Sequence, residues 1–414
     1  MDKYSRLRIL ILLTFFECSA LSAGAYSVLT HEAIVDACWQ RSIVPYLKLR
    51  YPGITEQQLK NSHAYAYGGS IAPDMGYFPM GSKLFTNLSH YVRSGELVNA
   101  LIREARSANE LAFALGFLTH YLADVYGHSM AINPSIALIY PAMKKTYGRI
   151  ITYLEDPISH RRVEFSFDVL QVSKGNYASE AFQDFIGFAI ADKLLARVVK
   201  MVYGLELRSL FPHFSMSVKL LRISVISIFP AITQSAWLIH KQELRRQGSS
   251  GADRNFRFRM RRLIQYQDSG NKRHSVFIHL LSGIIRVIPK IGPLRSLKIK
   301  APAQEAEYLF IKSFDTVRTG FNRHLSEMQI HEPHFKNLDL DTGNETQATE
   351  YSLADETYGD LLLKLNKNRF KYLDKALQQH ILEFYSHTPQ NISVNGGRSK
   401  AKRIANALVE LSKI

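Results

Sequence analysis

The sequence predicts an all-α protein. Apolar side chains recur at the three- and four-residue spacing of amphipathic helices over 32–49, 95–126, 178–203, 215–244, 303–328 and 358–384. Few segments show the alternating pattern that half-buried strands require. With 414 residues and 46% hydrophobic content, the chain is long enough to bury a sizeable core in one large domain or two ordinary ones.

Proline and glycine divide these helical segments. Breaks are expected at 52–53, 73–81 and 133–134, and the polar, basic stretch 245–274 is expected to be a loop or linker. We therefore predict a helical domain over 26–244 and a C-terminal helical region over 275–414, which can pack on the same domain. No internal repeat is apparent.

The N-terminal segment 1–25 has the pattern of a signal peptide. Three basic residues precede an apolar run over 9–16, and Ala23, Gly24 and Ala25 form a small-residue cleavage site. The apolar run is too short to span a bilayer and ends at Glu17. We expect a secreted or periplasmic protein whose mature chain begins at Tyr26.

The net charge limits the classes of binding partner, and the cysteine content limits how the folded chain can be stabilised. A formal charge of +16 favours an anionic partner, either a phospholipid surface or a nucleic acid, although an evenly solvated basic surface is the plainer interpretation. After signal cleavage Cys38 is the only cysteine, so no internal disulfide can form. Bound metal is one candidate for stabilising an exported chain of this kind.

Two further segments invite functional interpretations. The apolar stretch 215–240 is interpreted first as a core helix and second as a helix lying on a lipid surface, because Lys219, Arg222 and Pro230 make a membrane-spanning helix unfavourable. The segment 339–344 superficially resembles a calcium loop, but it lacks the full ligand series and the terminal Glu. We predict a turn there.

The segment 118–128 carries the strongest chemical signal. His120 and Asp124 lie four residues apart, and His128 follows at the same spacing if the helix continues through Gly127. Two imidazoles and a carboxylate on one face of an otherwise apolar helix can bind zinc, whereas an unpaired ionised Asp there would be costly. The pattern indicates a metal site.

Other candidate ligands are ambiguous when taken singly. His160 and Glu164 also stand four apart, but the adjacent arginines are equally typical of an exposed helix face. Asp74 follows a proline in a turn and could cap a helix instead of binding metal. His31 and His90 are uninformative alone.

In their order along the chain these residues resemble the bacterial zinc-dependent phospholipase C family over 26–164. That family is all-helical and binds three zinc ions, using the amine and carbonyl of its first mature residue as ligands. The resemblance implies three ligand sets, which are Asp74, His90, His120 and Asp124; the Tyr26 main chain, His31 and Asp124; and His128, His160 and Glu164.

The chain departs from the secreted bacterial enzymes in two intervals. Three residues separate Asp124 from His128, as in the N-terminal domain of GPI-specific phospholipase D, where the bacterial enzymes have five. The interval from His128 to His160 is longer and suggests an inserted loop. Tyr26 takes the place of a Trp, which matters little if the main chain binds the metal.

The resemblance implies hydrolysis of a phospholipid to diacylglycerol and a phosphorylated head group, with Asp74 orienting or deprotonating the attacking water. A related family of single-strand nucleases shares the three-zinc framework and is the main alternative. Those nucleases carry an Asp where this chain has Glu164, which favours the phospholipid. A third alternative is a non-catalytic lipid-binding protein that keeps metal for stability.

Overall fold

The computed structural model describes residues 27–178, 180–246, 298–386 and 397–414. The predicted signal peptide, Tyr26 and most of the predicted linker lie outside these residues. Within them the chain is helical, and an isolated antiparallel bridge between Leu338 and Glu345 is the sole β-type pairing. The all-α prediction is confirmed.

The N-terminal half contains eight helices in the described part, and a short 3₁₀ helix at Ala72–Tyr77. They are α1 (Val28–Cys38), α2 (Val44–Arg50), α3 (Glu56–Ile71), α4 (Lys83–Tyr91), α5 (Ser94–Arg103), α6 (Ala108–Gly127), α7 (Asn133–Ile139) and α8 (Pro141–Tyr147).

The helices of the remaining described ranges are α9 (Pro157–Ser173), α10 (Glu180–Ile186), α11 (Asp192–Tyr203), α12 (Leu207–Leu210), α13 (Phe214–Ile223), α14 (Phe229–Arg246), α15 (Gln304–Glu327), α16 (Ser352–Lys367), α17 (Lys375–Ser386) and α18 (Gly397–Leu411). Single π-helical turns at Trp39–Ile43, His128–Ile132 and Ser224–Ile228 join α1 to α2, α6 to α7 and α13 to α14.

The predicted break at 133–134 is wrong. The π-helical turn His128–Ile132 leads directly into α7, and Pro134 occupies the first turn of that helix, where a missing N–H is harmless. The long interval between His128 and His160 therefore contains α7 and α8, and is not simply an inserted loop. A π-helical turn often marks a functional site because it shifts the side-chain register.

Helix α3 was not predicted, because its apolar residues do not form the stripe of an amphipathic helix. The C-terminal half of α3 is buried, and its small residues allow the α3 backbone to pack closely against α6. A Cβ atom added at Gly69 would lie 2.0 Å from the Phe113 carbonyl oxygen, and one at Gly116 would lie 2.0 Å from the Ala66 carbonyl oxygen. This close approach sets the backbone of α3 beside the face of α6 that carries His120 and Asp124.

The start of α1 is fixed from inside the protein by Asp168 of α9. The Asp168 carboxylate accepts hydrogen bonds from the Leu29 amide at 3.1 Å and from the Thr30 hydroxyl at 2.6 Å. Ser27, the first described residue, is itself buried. The chain thus enters the core at the beginning of α1, and Cys38 at its end is a buried free thiol.

The C-terminal segments pack on the N-terminal helices. Helix α15 lies along α6, and the Asn99 side chain of α5 exchanges two hydrogen bonds with the Phe335 backbone. The predicted turn at 339–344 is present and closes between the bridged residues Leu338 and Glu345. The domain boundaries themselves stay a prediction.

The apolar segment Phe214–His240 has a mean hydropathy of 1.5 over its most apolar window, half of which is buried, and is long enough to cross a membrane. Leu221, Val225 and Phe229 are buried against the core, whereas Met216 is 48% exposed. One face of this segment is therefore part of the core, as expected for a core helix. Length and composition alone are weak evidence for a membrane-spanning role.

We expect Gly69→Ala to lower the melting temperature. The added methyl group meets the Phe113 carbonyl, so α3 must move away from α6, and overpacking of this kind costs about 1–3 kcal/mol. Gly53→Ala is the matched control because no atom lies within 4 Å of a Cβ added there. Equal melting temperatures for the two variants in thermal denaturation would contradict the close helix contact.

Candidate metal centre

The eight predicted ligands that the structure describes are all buried and come together from six separate elements. They form three groups in which the ligand atoms lie within 4.8 Å of one another: His31, His120 and Asp124; Asp74, His90 and His120; and His128, His160 and Glu164. None of the eight is more than 2% exposed. Tyr26 lies outside the described residues, so its role stays a prediction.

Asp124 stands between the first two groups. Its Oδ1 atom lies 3.5 Å from Nε2 of His31, and its Oδ2 atom lies 3.2 Å from Nε2 of His90 and 3.1 Å from Nε2 of His120. The two oxygens of one carboxylate therefore face two different sets of imidazoles. This is the arrangement needed for a carboxylate that bridges two metal ions.

The second group is completed by Asp74, whose Oδ1 atom lies 3.4 Å from Nε2 of His90. Neither carboxylate oxygen of Asp74 accepts a hydrogen bond from a backbone amide or a hydroxyl group that the structure describes. The alternative that Asp74 caps a helix is therefore wrong. Its residue type, burial and neighbours instead suit a metal ligand.

The third group joins the π-helical turn after α6 to α9. The Glu164 Oε1 atom lies 3.6 Å from Nε2 of His128 and 2.8 Å from Nε2 of His160. His160 and Glu164 are buried, so the alternative of an exposed helix face is wrong despite the neighbouring arginines. The His128 amide still donates to the Asp124 carbonyl, so the α-helical spacing of four residues places His128 on the same side as Asp124.

The spacing of these atoms matches the edges of a zinc coordination sphere. Four ligands at about 2.0–2.1 Å in tetrahedral geometry are separated from one another by roughly 3.3–3.4 Å. Most of the distances between carboxylate oxygens and imidazole nitrogens in the three groups are 3.1–3.6 Å. The 2.8 Å separation of His160 and Glu164 is the exception, and is shorter than such an edge.

Backbone carbonyls orient three of the histidines. The Nδ1 atoms of His90, His120 and His128 lie 2.7–2.8 Å from the carbonyl oxygens of Thr86, Ser70 and Leu340, respectively. A carbonyl oxygen can only accept, so each Nδ1 carries the proton and donates it. Each Nε2 then presents a lone pair to the group, as zinc requires.

Two of these lone pairs face each other, an arrangement that a proton or a metal ion between them would stabilise. The Nε2 atoms of His90 and His120 are 3.4 Å apart, and in two neutral rings with protonated Nδ1 atoms neither Nε2 can donate to the other. The carboxylate oxygens of Asp124 beside them have no hydrogen-bond partner among the described residues while these rings are neutral. Acceptors packed against acceptors in the interior repel unless a positive charge lies between them.

The pKa values of the candidate ligands are shifted by the same crowding of buried polar groups. Burial, reinforced by His120, lowers the pKa of His31 to about 3. Burial raises the pKa of Glu164 well above its usual value, and the charges of Asp74 and Asp124 raise it further. Burial opposes ionisation of His90, but the hydrogen bonds that a protonated ring would donate to Asp124 and Asp74 outweigh it and raise the His90 pKa. A bound cation would remove the need for these protons.

A second buried His–Asp pair lies outside the three groups and provides a contrast. His63 Nε2 lies 3.0 Å from the Asp36 carboxylate, which also accepts a hydrogen bond from the Tyr67 hydroxyl at 2.6 Å. The His63 ring stacks on Trp39. No third ligand joins this pair in the described ranges, so it has the form of a hydrogen-bonded core pair.

The sequence predicts no site residue after Glu164. The structure, however, places the turn at 339–341 against the third group. His128 donates to the Leu340 carbonyl, and an oxygen of Asp341 lies 3.4 Å from the same Nδ1 atom. The signal that could have found this turn is the pair of acidic residues interpreted as resembling a calcium loop. Its partner lies in a distant part of the sequence, so spacing could not identify it.

Zinc binding is expected to release protons and to weaken as the pH falls. His90 and Glu164 have raised pKa values and hold protons more tightly than ordinary side chains, so zinc must displace those protons. Titration calorimetry of metal-depleted protein at pH 7, in two buffers of different ionisation enthalpy, should give buffer-dependent heats. Heats independent of the buffer, with an affinity unchanged at lower pH, would contradict the assignment.

The comparisons with known proteins agree with this geometry. Residues 30–211 match the family model for zinc dependent phospholipase C, a span that includes all eight described ligands. No curated protein and no solved structure matches the chain. Residues 30–211 are therefore similar to the zinc-dependent phospholipase C family of hydrolases, which supports the same assignment for the part of the chain that holds the candidate ligands.

Proposed function

We propose that the protein is an exported phosphodiesterase that hydrolyses phospholipids at a cluster of three zinc ions. The family match supports phospholipase C-type chemistry, and the three groups of ligands support one zinc ion each. The observation that carries the proposal is the pair of facing Nε2 lone pairs of His90 and His120 beside the Asp124 carboxylate. A zinc ion there would stabilise that arrangement in the interior and would take the place of the proton that His90 otherwise holds.

Each of the three zinc ions would be bound by its own set of residues. Asp74, His90, His120 and Asp124 would hold one, and His128, His160 and Glu164 another. The ion beside His31 and Asp124 would need further ligands, and the amine and carbonyl of Tyr26 are our candidates. Asp168 supports this assignment, because it holds the start of α1 in the interior only a few residues after Tyr26.

Zinc bound at such a cluster lowers the pKa of a water molecule and neutralises charge on a phosphate. Asp74 would orient that water and accept its proton, since no amide or hydroxyl group of the described residues occupies its oxygens. The water oxygen would bond to phosphorus as the bond from phosphorus to the glycerol oxygen breaks, and the proton accepted by Asp74 would pass to that glycerol oxygen. The products are diacylglycerol and a phosphorylated head group.

Export of the protein is linked to the proposed binding of zinc by the Tyr26 amine. An α-amine can bind zinc only after the preceding peptide is removed, so signal cleavage before Tyr26 would complete the site. We propose a secreted or periplasmic protein on this basis, together with the signal-peptide pattern of segment 1–25. The net charge of +16 suits the surface of an anionic membrane as its substrate.

The activity is tested by replacing one ligand and one matched buried histidine. His120→Ala removes a residue that belongs to two groups, and should lower the release of phosphorylated head group at least ~100-fold. His63→Ala removes a buried histidine that pairs with Asp36 outside the three groups, and should keep catalysis in the folded fraction. The assay compares phosphatidylcholine, phosphatidylinositol and single-stranded DNA as substrates.

Hydrolysis of DNA with none of the lipids would contradict the phospholipase proposal and establish the nuclease alternative. Full zinc occupancy with no turnover of any phosphodiester would instead favour a non-catalytic lipid-binding protein. Equal loss of activity in His120→Ala and His63→Ala, both folded, would contradict the assignment of His120.

The N-terminal ligand is tested by adding residues before Tyr26. A chain that begins at Tyr26 should bind one zinc ion more than a chain with a short extension before it, because the extension converts the amine to an amide. The zinc content of the two proteins is compared by mass spectrometry after removal of loosely bound zinc. Identical zinc content in the two proteins would exclude the amine as a ligand.

A further inference from the structure

The turn at 339–341 lies outside the residues matched by the family model, yet it contacts two elements of the metal centre and the helix that follows them. The Leu340 carbonyl accepts the Nδ1 hydrogen bond of His128 at 2.7 Å, and the Leu340 amide donates to the His90 carbonyl at 3.1 Å. The Asn133 side chain donates to the Asp341 carbonyl at 2.8 Å. The turn therefore joins α4, the π-helical turn after α6 and the start of α7.

The Asp341 side chain is held in a fixed orientation toward His128. One carboxylate oxygen accepts hydrogen bonds from the Tyr91 hydroxyl at 2.8 Å and from the Tyr351 hydroxyl at 2.6 Å. The other oxygen lies 3.4 Å from Nδ1 of His128. Asp341 is 3% exposed, so this carboxylate is buried against the imidazole with its free rotation removed.

The shape of the turn is itself fixed locally. The Asp339 carboxylate accepts hydrogen bonds from the Asp341 and Thr342 amides at 2.9 and 3.0 Å, which closes the turn. The Ser94 hydroxyl of α5 both donates to the Leu338 carbonyl and accepts from the Leu338 amide. A rigid backbone of this kind can position a histidine, whereas a free loop could not.

We propose that the 339–341 turn is the outer shell of the third zinc group, and that Asp341 is a positioning residue for His128. The inference rests on the proposed zinc cluster. The Leu340 carbonyl keeps the proton on Nδ1 and directs Nε2 toward the metal, and the Asp341 carboxylate increases the basicity of the ring. The C-terminal region thereby supplies a part of the metal centre that the N-terminal domain alone lacks.

The test compares the zinc affinity of the full-length mature protein with that of Asp341→Ala. Loss of an outer-shell partner typically weakens metal affinity about 10–100-fold, so one zinc ion should be released at a correspondingly lower chelator concentration while the others are retained. Tyr351→Phe, which removes one of the two hydroxyls that hold Asp341, should change the affinity in the same direction by less. Zinc content is measured after dialysis against graded chelator.

The matched control is Asp355→Ala. Asp355 is a buried carboxylate of the same region that accepts a hydrogen bond from the Thr349 amide. This control should release zinc at the same chelator concentration as the unmodified chain, even if its melting temperature falls. The zinc-dependent rise in melting temperature should be reduced in Asp341→Ala and unchanged in Asp355→Ala, because a tightly bound ligand stabilises only the folded state.

Release of zinc from Asp341→Ala and Tyr351→Phe at the same chelator concentration as from the unmodified protein would overturn the inference. An equal reduction of zinc affinity in Asp341→Ala and Asp355→Ala would also overturn it, because it would indicate general destabilisation. If the unmodified protein itself bound no zinc, the proposed function would fail first. The result for the unmodified chain thus separates the two failures.

Discussion

The structure depends on an electrostatic constraint at its centre. Carboxylates and imidazoles from six elements are buried together, and removing each ionised group from water costs on the order of several kcal/mol unless an opposite charge compensates. The hydrogen bonds to His90 and His120 direct their lone pairs at each other instead of away from each other. Protons on His90 and Glu164, or bound cations in their place, must compensate for this burial.

The helices around the centre are arranged to meet that constraint. Glycines at the contact of α3 and α6 bring the Ser70 carbonyl within 2.8 Å of the His120 ring, so the packing of small residues fixes the tautomer of a ligand. Asp168 lies one turn beyond Glu164 on α9 and holds the start of α1, which carries His31. Core packing and metal geometry are therefore set by the same residues.

The all-α class and the paired spacing of His120 with Asp124 followed from the sequence because helical spacing is local, whereas His31, Asp74 and His90 were implied only by the family resemblance. His120 and Asp124 face one side of a helix wherever that helix packs. Helix α3 was missed because glycine, alanine and serine give no amphipathic pattern, although their small size is what the contact with α6 requires. The turn at 339–341 was recognised only as a turn, since its contact with His128 joins two distant parts of the sequence.

The most direct test of a buried zinc cluster is X-ray diffraction from crystals of the mature protein at energies just above and below the zinc absorption edge. Anomalous difference peaks are expected between Asp124 and His90, beside His31, and between His128 and Glu164, each about 2.0–2.1 Å from its ligands. Absence of anomalous density at all three positions in zinc-supplemented crystals, with the side chains ordered as described, would contradict the assignment.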